Sequence, residues 1–110
     1  MVETTRLKKV DVVKASGRID SHSSPELKEA FDTLLNDGRN KLIFDMSEVE
    51  FLSSSGVWVL LETQKRARRR SKGDLVLASP NDNIKKTLDL AGLMHFMKIF
   101  EGVEAAVGGF

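Results

Sequence analysis

Cysteine is missing from the 110-residue sequence, and histidine occurs only twice, as His22 and His95. Without cysteine there can be no disulfide framework and no thiol chemistry, which is consistent with a reducing compartment such as the cytoplasm. Two histidines without cysteine also argue against a zinc site, because zinc in proteins is held mainly by cysteine and histidine. We therefore expect a cytoplasmic protein without a metal centre.

Long apolar segments are also missing. The longest wholly apolar run, residues 57–61, has five residues, whereas a membrane-spanning helix needs ~20. Residues 1–6 contain no apolar core of a signal peptide. The formal net charge is only +1, so the overall charge attracts neither nucleic acid nor a membrane surface. We expect neither of these as a partner.

The common glycine-rich nucleotide motifs and the hydrolase motif are absent as well. Neither Gly-x-x-x-x-Gly-Lys nor Gly-x-Gly-x-x-Gly occurs, so we expect no cofactor. A hydrolase with Ser54, His22 and Asp20 as its triad is the weaker alternative. It lacks the Gly-x-Ser-x-Gly elbow, because Leu52 stands where the first glycine belongs.

The residues that are present describe one α/β domain over residues 1–110. Hydrophobic residues make up 41% and charged residues 30%, as in an ordinary globular protein. Apolar segments of strand and helix type alternate in the order β-β-α-β-α-β-α-β-α. This order predicts a mixed sheet, with an initial β-hairpin and then parallel strands joined by right-handed crossovers. Helices should lie mainly on one face of that sheet.

The predicted boundaries follow from β-branched segments, helical spacing, caps and glycines. The expected strands cover residues 2–7, 10–15, 41–46, 74–78 and 98–100, with Lys8-Lys9 as the hairpin tip and a linking turn at 47–50. The first helix has Ser24 as its N-cap and ends at residues 36–38. The second begins near Ser55 and ends at Gly73, the third follows Asp82 and ends at Gly92, and a last helix covers 101–107.

The serine-rich segment from Ser53 to Gly56 connects a buried strand to the second helix. Hydroxyl groups at such a junction can accept hydrogen bonds from the unpaired amides of the first helical turn. The same amides and the helix dipole also favour an anion such as phosphate. The segment is therefore interpreted as a helix cap, as a hydroxyl on a phosphate-binding platform, or as both.

Two further features have alternative interpretations. Residues 65–72 contain six of the seventeen lysines and arginines; cations are favoured at a helix C-terminus, and contact with an acidic partner or RNA is the alternative. Trp58, the only tryptophan, lies off the stripe formed by Val57, Leu60 and Leu61. It either packs against a neighbouring loop or is exposed as a contact residue.

Three segments resemble the STAS domain of bacterial anti-sigma factor antagonists. The most specific is residues 45–57, in which Asp45-Met46-Ser47 is followed by Phe51 and by Ser53-Ser54-Ser55-Gly56-Val57. Gly17-Arg18-Ile19-Asp20 is similar to the motif that follows the second strand of that family. Leu90-Ala91-Gly92-Leu93, followed by Ile99-Phe100, is similar to the family's closing segment.

The resemblance implies a phosphorylation site at Ser54, with Ser53 or Ser55 as alternatives. Asp20 matches an acidic residue beside the phosphorylated serine, and Ser53 replaces an aspartate that many sporulation-type members carry. The other expected neighbours of the site are Ser21, Gly56 and Trp58.

The implied function is antagonism of an anti-sigma factor. The unphosphorylated protein would bind an anti-sigma serine kinase and release a sigma factor, and phosphorylation at Ser54 would end that binding. A serine phosphatase is the second implied partner, and the protein itself would be a monomer or weak dimer. The alternative is a STAS scaffold that is never phosphorylated, within a larger signalling or transport assembly.

Overall fold

A five-stranded mixed sheet with α-helices on both faces forms the molecule. The computed structural model describes residues 1–110. The strands are β1 (Val2–Arg6), β2 (Asp11–Ile19), β3 (Lys41–Leu52), β4 (Asp74–Ala78) and β5 (Ile99–Phe100). The helices are α1 (Ser24–Asn36), α2 (Ser54–Arg68), α3 (Asp82–Leu90) and α4 (Val103–Gly108), with a 3₁₀ turn at Leu93–His95.

The strands lie in the sheet in the order in which they occur in the chain. β1 is antiparallel to β2, and every later pair is parallel. Because each crossover advances to the next strand with the same hand, α1, α2 and α3 pack on one face. The predicted element order and mixed sheet are confirmed. None of the helices combines the length and the hydrophobicity that a membrane span requires.

Alternation along the central strands divides the core into two layers. Leu42 and Phe44 of β3 point towards α1–α3, where Phe44 meets Phe31 edge-on with ring centroids 5.8 Å apart. Ile43, between them, points to the opposite face and packs with Ala106 of α4. Successive strand residues face opposite sides of a sheet, so a fully apolar strand fits only between two covered faces. Helix α4 covers part of the second face.

The tip of the β1–β2 hairpin is joined to the start of β3 by a buried ion pair. The carboxylate of Asp11 is almost completely buried and lies 2.6 Å from Nε of Arg39. Nη2 of Arg39 also donates to the carbonyl oxygen of Leu7 at 2.8 Å. A buried carboxylate needs such partners. This arginine therefore holds together the end of the sheet at which β2 and β3 begin.

Two strands are longer than predicted from the sequence. β2 does not end before Gly17 but continues to Ile19, with Gly17 at φ +81° beside a register shift. β3 does not end at Met46 but runs through the expected turn to Leu52. Val49 and Leu52 of this extension are buried. The exposed polar residues of the extension, Ser47, Glu48 and Glu50, resemble a turn in sequence, although they lie on a half-exposed strand.

Several helix boundaries also differ from the prediction. α1 has Ser23, not Ser24, in the N-cap position, and Ser24 is its first helical residue. α2 begins at Ser54 and ends at Arg68, before the predicted end at Gly73. In α3 the buried residues are Ile84 and Leu88, and the helix ends at Leu90, shortly before the predicted end at Gly92.

Candidate functional site

Helix α2 begins directly after β3 with a side-chain cap. Ser53 has extended backbone angles (φ −86°, ψ 173°), and its hydroxyl oxygen accepts a hydrogen bond of 3.5 Å from the amide of Gly56. This satisfies one of the amides that the first turn leaves unpaired. The predicted cap is therefore present, with Ser53 in the N-cap position.

Gly56 lets the start of α2 lie directly against the ends of β2 and β3. A Cβ atom on Gly56 would lie 2.5 Å from Cδ1 of Leu52 and 2.8 Å from Cγ2 of Ile19. Real carbon atoms do not approach so closely without displacement, so any larger residue would push the helix away from the sheet. The glycine thus sets the position of the serine segment relative to the carboxyl end of β2.

Ser54 is the first helical residue of α2, and its side chain is exposed. Ser55, the next residue, is partly buried. The hydroxyl group of Ser54 is thus free to meet a partner while it stands at the positive end of the helix dipole. A negative charge added there is stabilised by the dipole and by unpaired amides. The capping residue, Ser53, and the residue with the exposed hydroxyl, Ser54, are consequently neighbours in the same turn.

The serine segment is joined to the end of β2 by a backbone hydrogen bond. The amide of Ser53 donates to the carbonyl oxygen of Ile19 at 2.8 Å. Asp20 directly follows Ile19, so the structure brings the backbones of the two predicted motifs side by side. Ser21, also predicted to be near the site, is exposed in the same connection.

Asp20 organises the connection between β2 and α1. Its Oδ1 atom accepts hydrogen bonds from the amides of His22 (3.0 Å) and Ser23 (3.1 Å). The amide of Ser23, and then that of His22, hold the pKa of Asp20 below its usual value of 3.8. Hydrogen bonds to the charged form have this effect, so Asp20 remains a carboxylate at neutral pH.

The hydrolase triad considered from the sequence is not assembled. The carboxylate of Asp20 accepts from the backbone amide of His22 and not from its imidazole ring. A catalytic aspartate must instead hold the histidine ring in position for the nucleophile. His22 is also exposed to solvent. No group of three or more His, Asp and Glu side chains is arranged to hold a metal ion.

Sequence reasoning missed two residues beside this site. Ser23 donates its hydroxyl to the carbonyl oxygen of Arg18 at 2.6 Å and accepts from the amide of Asp20 at 3.0 Å. The spacing Asp-x-x-Ser is a turn signal that could have indicated this role. Phe51, 39% exposed, lies under the guanidinium group of Arg18 at 4.2 Å. This cation–π contact joins β2 to β3 and has no sequence signal.

Trp58 lies one turn beyond Ser54 and is 61% exposed, which decides between the two interpretations of this residue. It borders a cleft of about 260 Å³ between α1 and α2, whose other lining residues include Val59, Thr63 and Asp32. An exposed tryptophan at the edge of a cleft is a typical contact residue in protein interfaces. Ser54 and Trp58 therefore share the surface at the start of α2.

Two acidic residues lie near the carboxyl end of β3, and the charge of one of them is partly neutralised. Glu48 and Glu50 are exposed, and the carboxylate of Glu48 lies 3.2 Å from Nζ of Lys14. This contact raises the pKa of Lys14. Glu50 and Asp20 belong to none of the ion pairs of the structure.

The fold and the serine segment together define an α/β domain with an exposed hydroxyl at a helix N-terminus. The family model of the STAS domain matches residues 1–106. The chain therefore belongs to the STAS domain family.

Individual relatives agree with this assignment. The anti-sigma-B factor antagonist of Staphylococcus aureus is 28% identical over 103 residues, which cover 94% of each chain. An anti-sigma factor antagonist from Mycobacterium paratuberculosis superposes with a TM-score of 0.90 at 24% identity, over 99% of this chain and 92% of that one.

A third relative, SpoIIAA, is an anti-sigma factor antagonist solved in its unphosphorylated form, with a TM-score of 0.83 and 20% identity over 97% of this chain and 93% of that one. The Bacillus protein has also been solved in its phosphorylated form.

Proposed function

We propose that this protein is an anti-sigma factor antagonist whose binding is switched off by phosphorylation of Ser54. The unmodified protein binds an anti-sigma factor that is also a serine kinase, and this binding releases a sigma factor. A serine phosphatase restores the unmodified form. The observation that carries the proposal is an exposed serine on a capped helix N-terminus, in a chain that belongs to the STAS family.

The geometry supports Ser54 as the phosphate acceptor over its two neighbours. The hydroxyl of Ser53 is engaged with the amide of Gly56, and Ser55 is partly buried. Ser54 alone is exposed. A kinase must reach the hydroxyl with its own active site, so exposure favours the middle serine.

Phosphorylation changes the charge of the surface without requiring a new fold. A phosphoserine carries about −1.5 to −2 charges at neutral pH, and the amides at the start of α2 accommodate it in the free protein. Glu50 and Asp20 add negative charge nearby. In a complex built for a neutral hydroxyl, an unpaired buried charge costs ~3–4 kcal/mol, which weakens binding a few hundredfold.

Intact-mass measurement after incubation with the cognate anti-sigma kinase and ATP tests the proposal. We expect one added phosphate on the wild type and on the Ser53→Ala and Ser55→Ala variants, and none on Ser54→Ala. The two neighbouring variants control for damage to the helix start. Absence of phosphate on the wild type, or equal phosphorylation of Ser54→Ala, contradicts the proposal.

A phosphomimetic variant separates the switch from a permanent scaffold. We expect Ser54→Asp to lose affinity for the kinase, because the added charge enters the interface. Retained affinity would favour the alternative in which the domain is an unphosphorylated subunit of a larger assembly. Isothermal titration calorimetry with wild-type protein as the reference measures the difference.

A further inference from the structure

A strongly basic cleft lies between the C-terminal ends of α1 and α2. Its volume is about 280 Å³, and we call it the arginine cleft; its lining residues are Leu35, Asn36, Arg66, Arg69 and Arg70. Three guanidinium groups and one amide therefore line the cleft, and no carboxylate does. This end of the molecule is opposite to the serine segment, about 22 Å away along the 15 residues of α2.

Most of the positive charge in this region has no carboxylate partner. In residues 65–72 only Arg66 and Arg68 form ion pairs, with Asp32 and Asp74 respectively. Asp32 also lies 2.5 Å from Nζ of Lys28, so its single charge is shared between two cations. Arg69 and Arg70 are exposed and reach the arginine cleft unpaired.

Favourable interaction with the helix ends accounts for only part of this charge. A helix C-terminus carries roughly −0.5 charge, so the ends of α1 and α2 together offset about one guanidinium group. Arg66 and Arg68 lie in the last turn of α2, whereas Arg69 is its C-cap residue and Arg70 follows it. The end of α1 is, moreover, already satisfied by backbone amides of residues 37–39. The helix ends therefore offset only part of the positive charge of the cluster.

Packing holds one of the arginines over the cleft. Nη1 of Arg70 lies only 3.4 Å from the position that a Cβ atom on Gly38 would take, so the side chain rests on the loop between α1 and β3. Asn36, the last residue of α1, adds an amide with two further donors. Planar guanidinium groups donate paired hydrogen bonds to phosphate oxygens, and the amide adds a further donor.

We propose that the arginine cleft binds a phosphate-type anion with two or more negative charges. Arg69 and Arg70 supply the unpaired guanidinium groups, Arg66 a third that it shares with Asp32, and Asn36 a neutral donor. The phosphate belongs either to a soluble anion or to the headgroup of an anionic lipid, because both present the same oxygens. This site is independent of the switch proposed at Ser54.

Amide chemical shifts of ¹⁵N-labelled protein, recorded during titration with sodium pyrophosphate at constant ionic strength, test the site. We expect saturable shifts confined to residues 35–38 and 66–70. The variant Arg69→Gln/Arg70→Gln should bind at least about tenfold more weakly, since each charged hydrogen bond contributes roughly a factor of ten or more. Its remaining amide spectrum should match the wild type, which shows that the fold is intact.

The variant Lys85→Gln/Lys86→Gln on α3 is the matched control, because it removes the same charge from an exposed surface elsewhere. It should bind pyrophosphate as the wild type does. Equal weakening in both variants, or shifts at all basic residues without saturation, overturns the proposal.

Sedimentation with phosphatidylglycerol vesicles identifies the source of the anion. If the wild type and the Lys85→Gln/Lys86→Gln variant sediment with the vesicles and the Arg69→Gln/Arg70→Gln variant does not, the site is assigned to a lipid headgroup. Pyrophosphate binding without vesicle retention assigns it to a soluble anion. Absence of both pyrophosphate binding and sedimentation with vesicles overturns the proposal. Phosphorylation of Ser54 by the kinase should be unaffected in every case, because the two sites are independent.

Discussion

The amide of Ser53 donates a 2.8 Å hydrogen bond to the carbonyl oxygen of Ile19. This bond continues the pairing of β2 with β3 by one residue, at the point where both strands end. It fixes the origin of α2 relative to the connection that contains Asp20. The start of α2 and the end of β2 therefore form one rigid surface, to which the following predictions apply.

Replacing Gly56 by alanine should destabilise the fold. The new Cβ atom would overlap Leu52 and Ile19 at 2.5 and 2.8 Å, and overpacking of this kind costs about 1–3 kcal/mol. Gly108→Ala is the control, because no atom lies within 4 Å of its Cβ position. Urea unfolding should give a lower midpoint for Gly56→Ala and an unchanged one for Gly108→Ala; equal midpoints would contradict the close contact.

The carboxylate of Asp20 should make stability depend on pH in the acid range. Its pKa is lower in the folded protein than the usual 3.8, so the folded state binds fewer protons than the unfolded state. The stabilisation is present above the unfolded pKa and is lost as the pH falls through the folded one. The thermal unfolding temperature of Asp20→Asn should therefore lie below that of the wild type at neutral pH, and the two temperatures should converge in strong acid.

An exposed carboxylate on α3 provides the control for this pH dependence. Asp89→Asn removes the same charge outside the hydrogen-bond network of the β2–α1 connection. Its unfolding temperature should follow the wild type at every pH. A constant difference between Asp20→Asn and the wild type across the whole range would show that the effect is steric.

Trp58 should be an energetic centre of the complex with the anti-sigma kinase, if the proposed function holds. Truncation of a tryptophan near the middle of an interface typically costs ~2 kcal/mol or more, so Trp58→Ala should bind at least about thirtyfold more weakly. Phe96→Ala is the matched control, because both side chains are 61% exposed. Equal affinities of Trp58→Ala and Phe96→Ala, measured by calorimetry, would contradict a special contribution of Trp58 to the interface.

Element order was predictable because each strand and helix has its own pattern of apolar residues. The alternation of strands and helices also decided the parallel pairing and the placement of α1–α3 on one face. The lengths of β2 and β3 were not predictable, since Ser47, Glu48 and Glu50 are turn-forming or charged residues in an extended segment. Pairing with β2 and a hydrogen bond from the side chain of Asn81 to the carbonyl oxygen of Val49 hold this segment extended.

The candidate site was located from the sequence, but its internal contacts were not. Serines before an apolar helix indicate a cap, and the segments that resemble the STAS family indicated Ser54 and Asp20. The role of Ser23 depends on where Asp20 turns, and the contact between Arg18 and Phe51 depends on the register of β2 against β3. Interactions between distant segments follow from the folded arrangement and have no local pattern.

The shortness of β5 has a consequence for how this protein behaves at high concentration. β5 is an edge strand that pairs with β4 through only two residues. This edge of the sheet therefore exposes few unpaired backbone groups. The opposite edge strand, β1, carries the charges of Glu3 and Arg6. Short and charged edges resist the addition of further strands from other molecules. Both edges of the sheet therefore oppose the addition of strands from other molecules.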